Sequence, residues 1–415
     1  MSSSTTKNPN LNAQFSSSNF FSDFLNKRSF EPGWLVDLRK DAWNKFQNMP
    51  TIKSKDERWR FSPRSRLGYA KFGSVCESND NILLNSGFEE DIFFETLENT
   101  ILNNPDLIKD LQTLSGPNLG SEETFNLCRS FSESGYTIKT KQGTKIKKTL
   151  TCHHISPGNN ESLFQTNIIS VEPFSELTII EYFDSKDQES PGMLSNLNHI
   201  ILREGAKLNR IIIQRLNDHS TFKHLEKIEL HKDAQFTSVS LHLGGEQSRV
   251  ESNGIIKGSG ADFNNFSLSL GRDEQLFDQR TIQHHVAPNG RSNLLFKNAL
   301  LDESKSVFSG LIKVDPAAQN TDSFQTNRNL LLSNDAEADS LPGLEILANE
   351  VKCSHGATTS KIDEQELFYL QSRGMSKKLS EKLIVLGFFE EIIGQVKSDS
   401  IIQELRNEVS EFFNS

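Results

Sequence analysis

Apolar residues along the first third of the chain recur in helical steps. From Trp34, the set Trp34, Leu35, Leu38, Ala42, Trp43 and Phe46 follows steps of three and four, which predicts a helix. Met49-Pro50 ends it, because the residue before proline is driven out of the helical region. Asn85 to Leu114 again reads as mostly helical, through Phe88, Ile92, Phe93, Leu97 and Ile101, with a break at Pro105. Near residue 136 the period shifts to two. Tyr136–Lys141 and Thr144–Lys147 flank Gln142-Gly143 and predict a hairpin whose lysines 139, 141, 145 and 147 alternate along its arms.

Between residue 163 and about 350 the pattern repeats. Short β-rich runs are each followed by a polar turn, an alanine and another run. Ala206, Ala234 and Ala261 mark equivalent places, spaced 28 and 27 residues apart, with weaker echoes at Ala287 and Ala317. This period predicts a β-solenoid, whose turns must stack to bury their apolar faces. A two-sheet β-sandwich is the competing reading. After residue 362 the helical period returns. Asp363 and Glu366 form a capping-box-like start, and Gly374 stops the first of three helices. The expected organisation is a disordered tail over 1–19, a mostly helical region over 20–135, a β-helix core over 136–360 and a helical domain over 361–415.

Composition then narrows the function. The 415 residues carry a formal charge of −10, which argues against nucleic acid as the main partner. The longest apolar run is far short of the ~20 residues a membrane helix needs. The Ser-rich start lacks the basic and apolar segments of a secretory signal, so the expected location is the cytoplasm, with plastid stroma as the alternative. Cys76, Cys128, Cys152 and Cys353 include no C-x-x-C pair. There is no G-x-x-x-x-G-K-[ST] loop, no H-E-x-x-H and no G-x-S-x-G. The adjacent pairs His153-His154 and His284-His285 would each send one ring to either face of a strand, a poor arrangement for one metal.

Cys353 and His355 stand two apart, so an extended backbone places them on one face, where thiolate and imidazole suit a soft metal or sulfur chemistry. On spacing alone, a buried cysteine beside a hydrogen-bonded histidine is the favoured reading.

A longer block changes that weighing. Thr326–Ser333, Cys353–Thr358, Asp363-Glu364 and Leu367–Gly374 together resemble the SufB/SufD family of iron–sulfur cluster assembly proteins. Glu57-Arg58-Trp59-Arg60-Phe61 is similar to the N-terminal motif of the SufD branch, and the lack of a cysteine-rich N-terminal motif points the same way. The resemblance implies a non-enzymatic scaffold subunit. It would pair with a SufB-like subunit through the β-helix and with a SufC-like ABC ATPase through the C-terminal helices, or with itself when isolated. It implies no tightly bound cofactor in isolation and a transient iron–sulfur cluster in the complex. By the same resemblance, the family's functional cysteine and histidine correspond to Cys353 and His355, as iron or cluster ligands at the SufB interface. A SufB-like cluster-bearing subunit and a β-solenoid enzyme acting on polysaccharide are the alternatives.

Overall fold

The computed structural model describes residues 13–50, 56–63, 67–77, 81–86 and 91–414. Helices α1 (Ser18–Asn26) and α2 (Gly33–Gln47) come first, then short strands β1 (Ser74–Val75), β2 (Ile82–Leu84) and β3 (Ile92–Thr96). Helices α3 (Leu97–Asn103) and α4 (Glu122–Phe131) lead into the β-region. Sixteen strands then alternate between two sheets. One holds β4 (Tyr136–Thr140), β6 (Glu161–Val171), β8 (Met193–Leu202), β10 (Thr221–Leu230), β12 (Gln247–Ile256), β14 (Leu276–His285), β16 (Lys305–Val314) and β18 (Glu337–Ile346). The other holds β5 (Leu150–Ser156), β7 (Glu176–Ser185), β9 (Lys207–Arg215), β11 (Gln235–His242), β13 (Asp262–Gly271), β15 (Arg291–Leu300), β17 (Thr321–Leu331) and β19 (Val351–Lys361). Each strand pairs in parallel with the next but one, so the chain climbs one strand spacing per turn. This is the β-solenoid the repeat predicts, in about eight turns, and not two sheets joined as a sandwich.

The repeat has a local cause. Ala206, Ala234 and Ala261 are fully buried and stack at one corner, each just after a residue at positive φ: Gly205, Asp233 and Gly260. Their carbonyls accept from the amides of Gln235, Asp262 and Arg291 on the next turn at 2.8–2.9 Å, so the ladder continues around the bend. The echoes at Ala287 and Ala317 are not equivalent positions. Strand register places Gly290 and Thr321 there.

Side chains alternate inward and outward along every strand. Outward residues of the β6-containing sheet pack under the N-terminal helices: Phe164, Met193, Leu197 and Leu225 meet Phe15, Phe24, Trp43, Phe46 and Phe131. Outward residues of the other sheet, including Ile211, Ile213, Val239, Leu241 and Phe266, meet α6 (Lys377–Ile393) and α7 (Asp399–Phe412), whose Val385, Phe389, Leu405 and Val409 are buried. Helix α5 (Glu364–Ser372) starts on Asp363, whose side chain accepts from the Gln365 and Glu366 amides, and it buries no residue. No helix among the described residues is long and apolar enough to cross a membrane.

Three expectations need correction. Ile92 and Phe93 lie in β3, not in a helix, because β3 pairs antiparallel with β4 and that pairing overrides the local period. The hairpin around Gln142-Gly143 does not form. The segment is a solenoid corner in which Lys145 bridges in parallel to Glu176 on the next turn. Most of the tail over 1–19, like Phe88, lies outside the described residues. From Ala13 the chain is ordered: Phe15 is fully buried, and α1 is capped by Ser17, whose hydroxyl accepts from the Phe20 amide.

Candidate functional site

The inward columns of the solenoid change character from one end to the other. Near the first turns they carry charge. Glu181 on β7, Arg210 on β9 and Glu226 on β10 are all buried. Arg210 Nε donates to Glu181, and its Nη1 donates to Glu226 at 2.6 Å. Tyr136 donates its hydroxyl to Glu181 at 2.8 Å. His154 places its Nδ1 2.8 Å from Gln165 Oε1 and its Nε2 3.3 Å from Glu181 Oε1. Burial would push the Glu226 carboxyl up, but the Arg210 guanidinium and His224 outweigh it and hold it at about 2. Glu181 is likewise held well below the usual carboxylate range. Nothing in the sequence pattern points to this group. Its only trace is a charged residue at an inward position of a strand, which is recognisable once the register is known.

At the last turn the same columns meet solvent. β18 and β19 are the terminal strands of their sheets. Strand register puts Cys353 beside Ser323, His355 beside Gln325 and Thr359 beside Asn329. Ser323, Gln325 and Asn329 are buried inward residues, so Cys353 and His355 continue the inward column. The structure thus brings the two sequence-selected residues onto one face of β19, as an extended backbone requires. It separates their environments. Cys353 is half-buried against Ile312, Val314, Ala318 and Ala348, whereas His355 is exposed. Burial, together with the nearby Asp322 carboxylate, pushes the Cys353 thiol up, so the thiol must lose its proton before it attacks or binds a metal. Around them Leu344, Ile346 and Leu347 are exposed, and Gly356 has open space where a side chain would stand. Among the described residues no three His, Cys, Asp or Glu side chains come together to hold a metal ion.

The other cysteines are remote from this end. Cys128 and Cys152 are buried, and Cys76 is half-buried beside Asn81, whose amide donates to its sulfur. The histidine pairs split as strand geometry requires. His154 and His285 point into the solenoid, while His153 stacks on Tyr182 outside and His284 bonds to Asp315 at 3.1 Å.

The family model described as SUF system FeS cluster assembly, SufBD core domain, matches residues 154–388. An iron–sulfur cluster assembly SufBD family protein of Mycobacterium tuberculosis is 25% identical over 364 residues, covering 85% of this chain and 86% of its own. The iron–sulfur cluster assembly protein SufD of Escherichia coli is 30% identical over 292 residues, covering 69% of this chain and 68% of its own. A SufBD family protein of Synechocystis is 26% identical over 420 residues, covering 92% and 91%. The matched core spans the solenoid from its second strand into α6, so the resemblance rests on the whole architecture and not on one motif. The chain belongs to the SufBD family of the SUF iron–sulfur cluster assembly system.

Proposed function

We propose that this chain is the SufD-type subunit of a SUF assembly complex. It pairs with a SufB-like subunit through the open end of the solenoid, holds a SufC-like ABC ATPase on its C-terminal helices and catalyses no reaction itself. The observation that carries the reading is the uncovered last turn. β18 and β19 present unpaired strand edges beside exposed Leu344, Ile346 and Leu347. Such edges are templates for pairing with another chain. The C-terminal helices offer the second surface: Phe368 is 71% and Tyr369 is 55% exposed on α5, and Leu379 and Leu383 are exposed on α6.

Cys353 and His355 sit where the first partner would close the solenoid, and they supply one soft sulfur and one imidazole nitrogen. A cluster ordinarily takes about four such ligands, so these two would be completed by donors from the SufB-like chain. The cluster is then the cargo of a shared site, held while it is built and released afterwards.

The test is co-expression with SufB- and SufC-like partners. His355→Ala is expected to leave the melting temperature and the assembly of the complex unchanged while iron and sulfide content falls several-fold. Normal loading in a well-assembled His355→Ala complex would remove the site assignment. Cys353→Ser is the companion variant, and its half-buried hydroxyl is expected to cost about 1 kcal/mol of stability as well. Deleting residues 363–396 tests the helical surface and is expected to abolish ATPase binding in a pull-down.

A further inference from the structure

Six stacked corners, those preceding β7, β9, β11, β13, β15 and β17, each hold one residue at positive φ. These are Phe174 at 61°, Gly205 at 64°, Asp233 at 55°, Gly260 at 76°, Asn289 at 60° and Asn320 at 58°. Five are glycine, asparagine or aspartate, the types that tolerate left-handed backbone. Phe174 is the exception, and a bulky side chain there is a costly choice. Burial does not repay that cost. The ring is 56% exposed and lies over Gly205 of the next turn, where an added Cβ would come within 2.6 Å of it. An exposed aromatic ring held on strained backbone is explained neither by the turn nor by the core.

Its surroundings carry more lysine than acid, although Glu172, Glu176 and Glu204 stand among the lysines and Lys141 pairs with Asp91. The corner just before it carries Lys139, Lys141, Lys145, Lys147 and Lys148 with no acidic residue between them, in a chain whose net charge is −10. The Lys141 carbonyl accepts from Ser175 Oγ at 2.6 Å and the Gly143 amide donates to the Pro173 carbonyl at 2.9 Å, so this corner is locked directly against the Phe174 turn. On the far side the Lys207 amide donates to the Ser175 carbonyl. Lys139, Lys145, Lys147 and Lys207 are exposed and form no ion pair among the described residues. We infer that Phe174 and the lysines around it form a docking surface for an acidic protein segment, whose apolar pocket takes the ring while its carboxylates meet the lysines. A buried aromatic anchor inside a polar rim is how a few residues carry most of an interface's affinity. Nucleic acid fits less well. One ring is not the series of aromatics on which successive bases stack, and it suits a single apolar pocket instead. The surface lies on the first turns, away from β18 and β19, and does not depend on the proposed pairing there.

The experiment uses the full chain and a fluorescein-labelled 16-residue peptide of repeated Glu-Glu-Leu-Leu, followed by anisotropy at low and physiological salt. Polyglutamate, a 16-nucleotide single strand and phosphatidylserine vesicles serve as competing probes. The Glu-Leu peptide is expected to bind more tightly than any of them, and its affinity should fall with salt. Phe174→Ala should weaken it about tenfold or more. Exchanging Lys145, Lys147 and Lys207 for Gln should weaken it and flatten the salt dependence. Phe174→Asn, the residue found at two equivalent corners, separates function from packing. It should abolish peptide binding while raising the melting temperature by a few degrees, because asparagine accepts the left-handed backbone. A lowered melting temperature would make the ring a structural cap and overturn the proposal. So would absent peptide binding, tighter binding of the oligonucleotide or vesicles, or a Phe174-dependent dimer of the chain.

Discussion

At its first turns the solenoid is closed by antiparallel strands, β2 on β5 and β3 on β4, whereas its last turn ends in β18 and β19 with no further described strand beyond them. The inward positions obey one alternation at both ends. At the closed end they hold Glu181, Arg210 and Glu226 in complete burial, and at the open end they hold Cys353 and His355. A neighbouring turn above is what makes an inward residue a core residue. Where no further described strand follows, the same geometry leaves Cys353 half-buried and His355 exposed. The closed end is packed on both sides, and the open end leaves strand edges uncovered among the described residues.

The sharpest way to break this contrast is Arg210→Met. It leaves two buried carboxylates without their cation and is expected to cost about 3–5 kcal/mol in urea unfolding. A loss below about 1 kcal/mol would mean that the charges inside the first turns are not coupled as the geometry implies.

Acid titration tests burial more gently, at His199 beneath the N-terminal helices and at His242 inside the solenoid. Burial, reinforced by Arg129 and Lys227, pushes His199 down to about 3, and burial with His224 does the same for His242. Their folded values lie below the unfolded value of about 6.5, so the unfolded chain binds more protons as pH falls. Stability is therefore complete above about pH 6.5 and is lost progressively toward pH 3. The expected loss is about 2–4 kcal/mol between pH 7 and pH 5, and His199→Gln with His242→Gln should flatten the slope. A profile that stays level to pH 5 in the parent chain would contradict the burial.

Ala234→Leu probes the corner column, where the alanine is fully buried between equivalent small residues of adjacent turns. Overpacking there should cost about 1–3 kcal/mol. The same exchange at the echo positions Ala287 or Ala317 should cost less, because these are not equivalent corners.

The smallest stability effect belongs to the open end. Leu344→Arg with Leu347→Arg changes two exposed residues and should alter unfolding by less than about 0.5 kcal/mol. Yet it should abolish co-purification with a SufB-like chain. Retained pairing with both arginines present would locate the partner elsewhere.

Much of this was legible in the residues. The Ala206, Ala234 and Ala261 spacing fixed the solenoid because a left-handed corner needs a small residue at each turn, and that demand is local. The helical starts at Trp34 and Asp363 were legible for the same reason, since capping and apolar spacing act within a few residues. Ile92 and Phe93 misled because their strand exists only through pairing with β4. The lysines around Gly143 misled because a tight turn between β-rich arms looks alike in a hairpin and in a solenoid corner.

The sequence by itself determined the repeating architecture, the family and the pair Cys353 and His355, because each is written in short spacings or in a continuous block. Only the tertiary structure decided which end of the solenoid stays open, that Glu181, Arg210 and Glu226 meet in one buried cluster across the two sheets, and that Phe174 stands exposed above Gly205. Those facts depend on which turn lies above and which helix packs outside. Strand register sets that, and it joins residues about 30 positions apart that no local pattern connects.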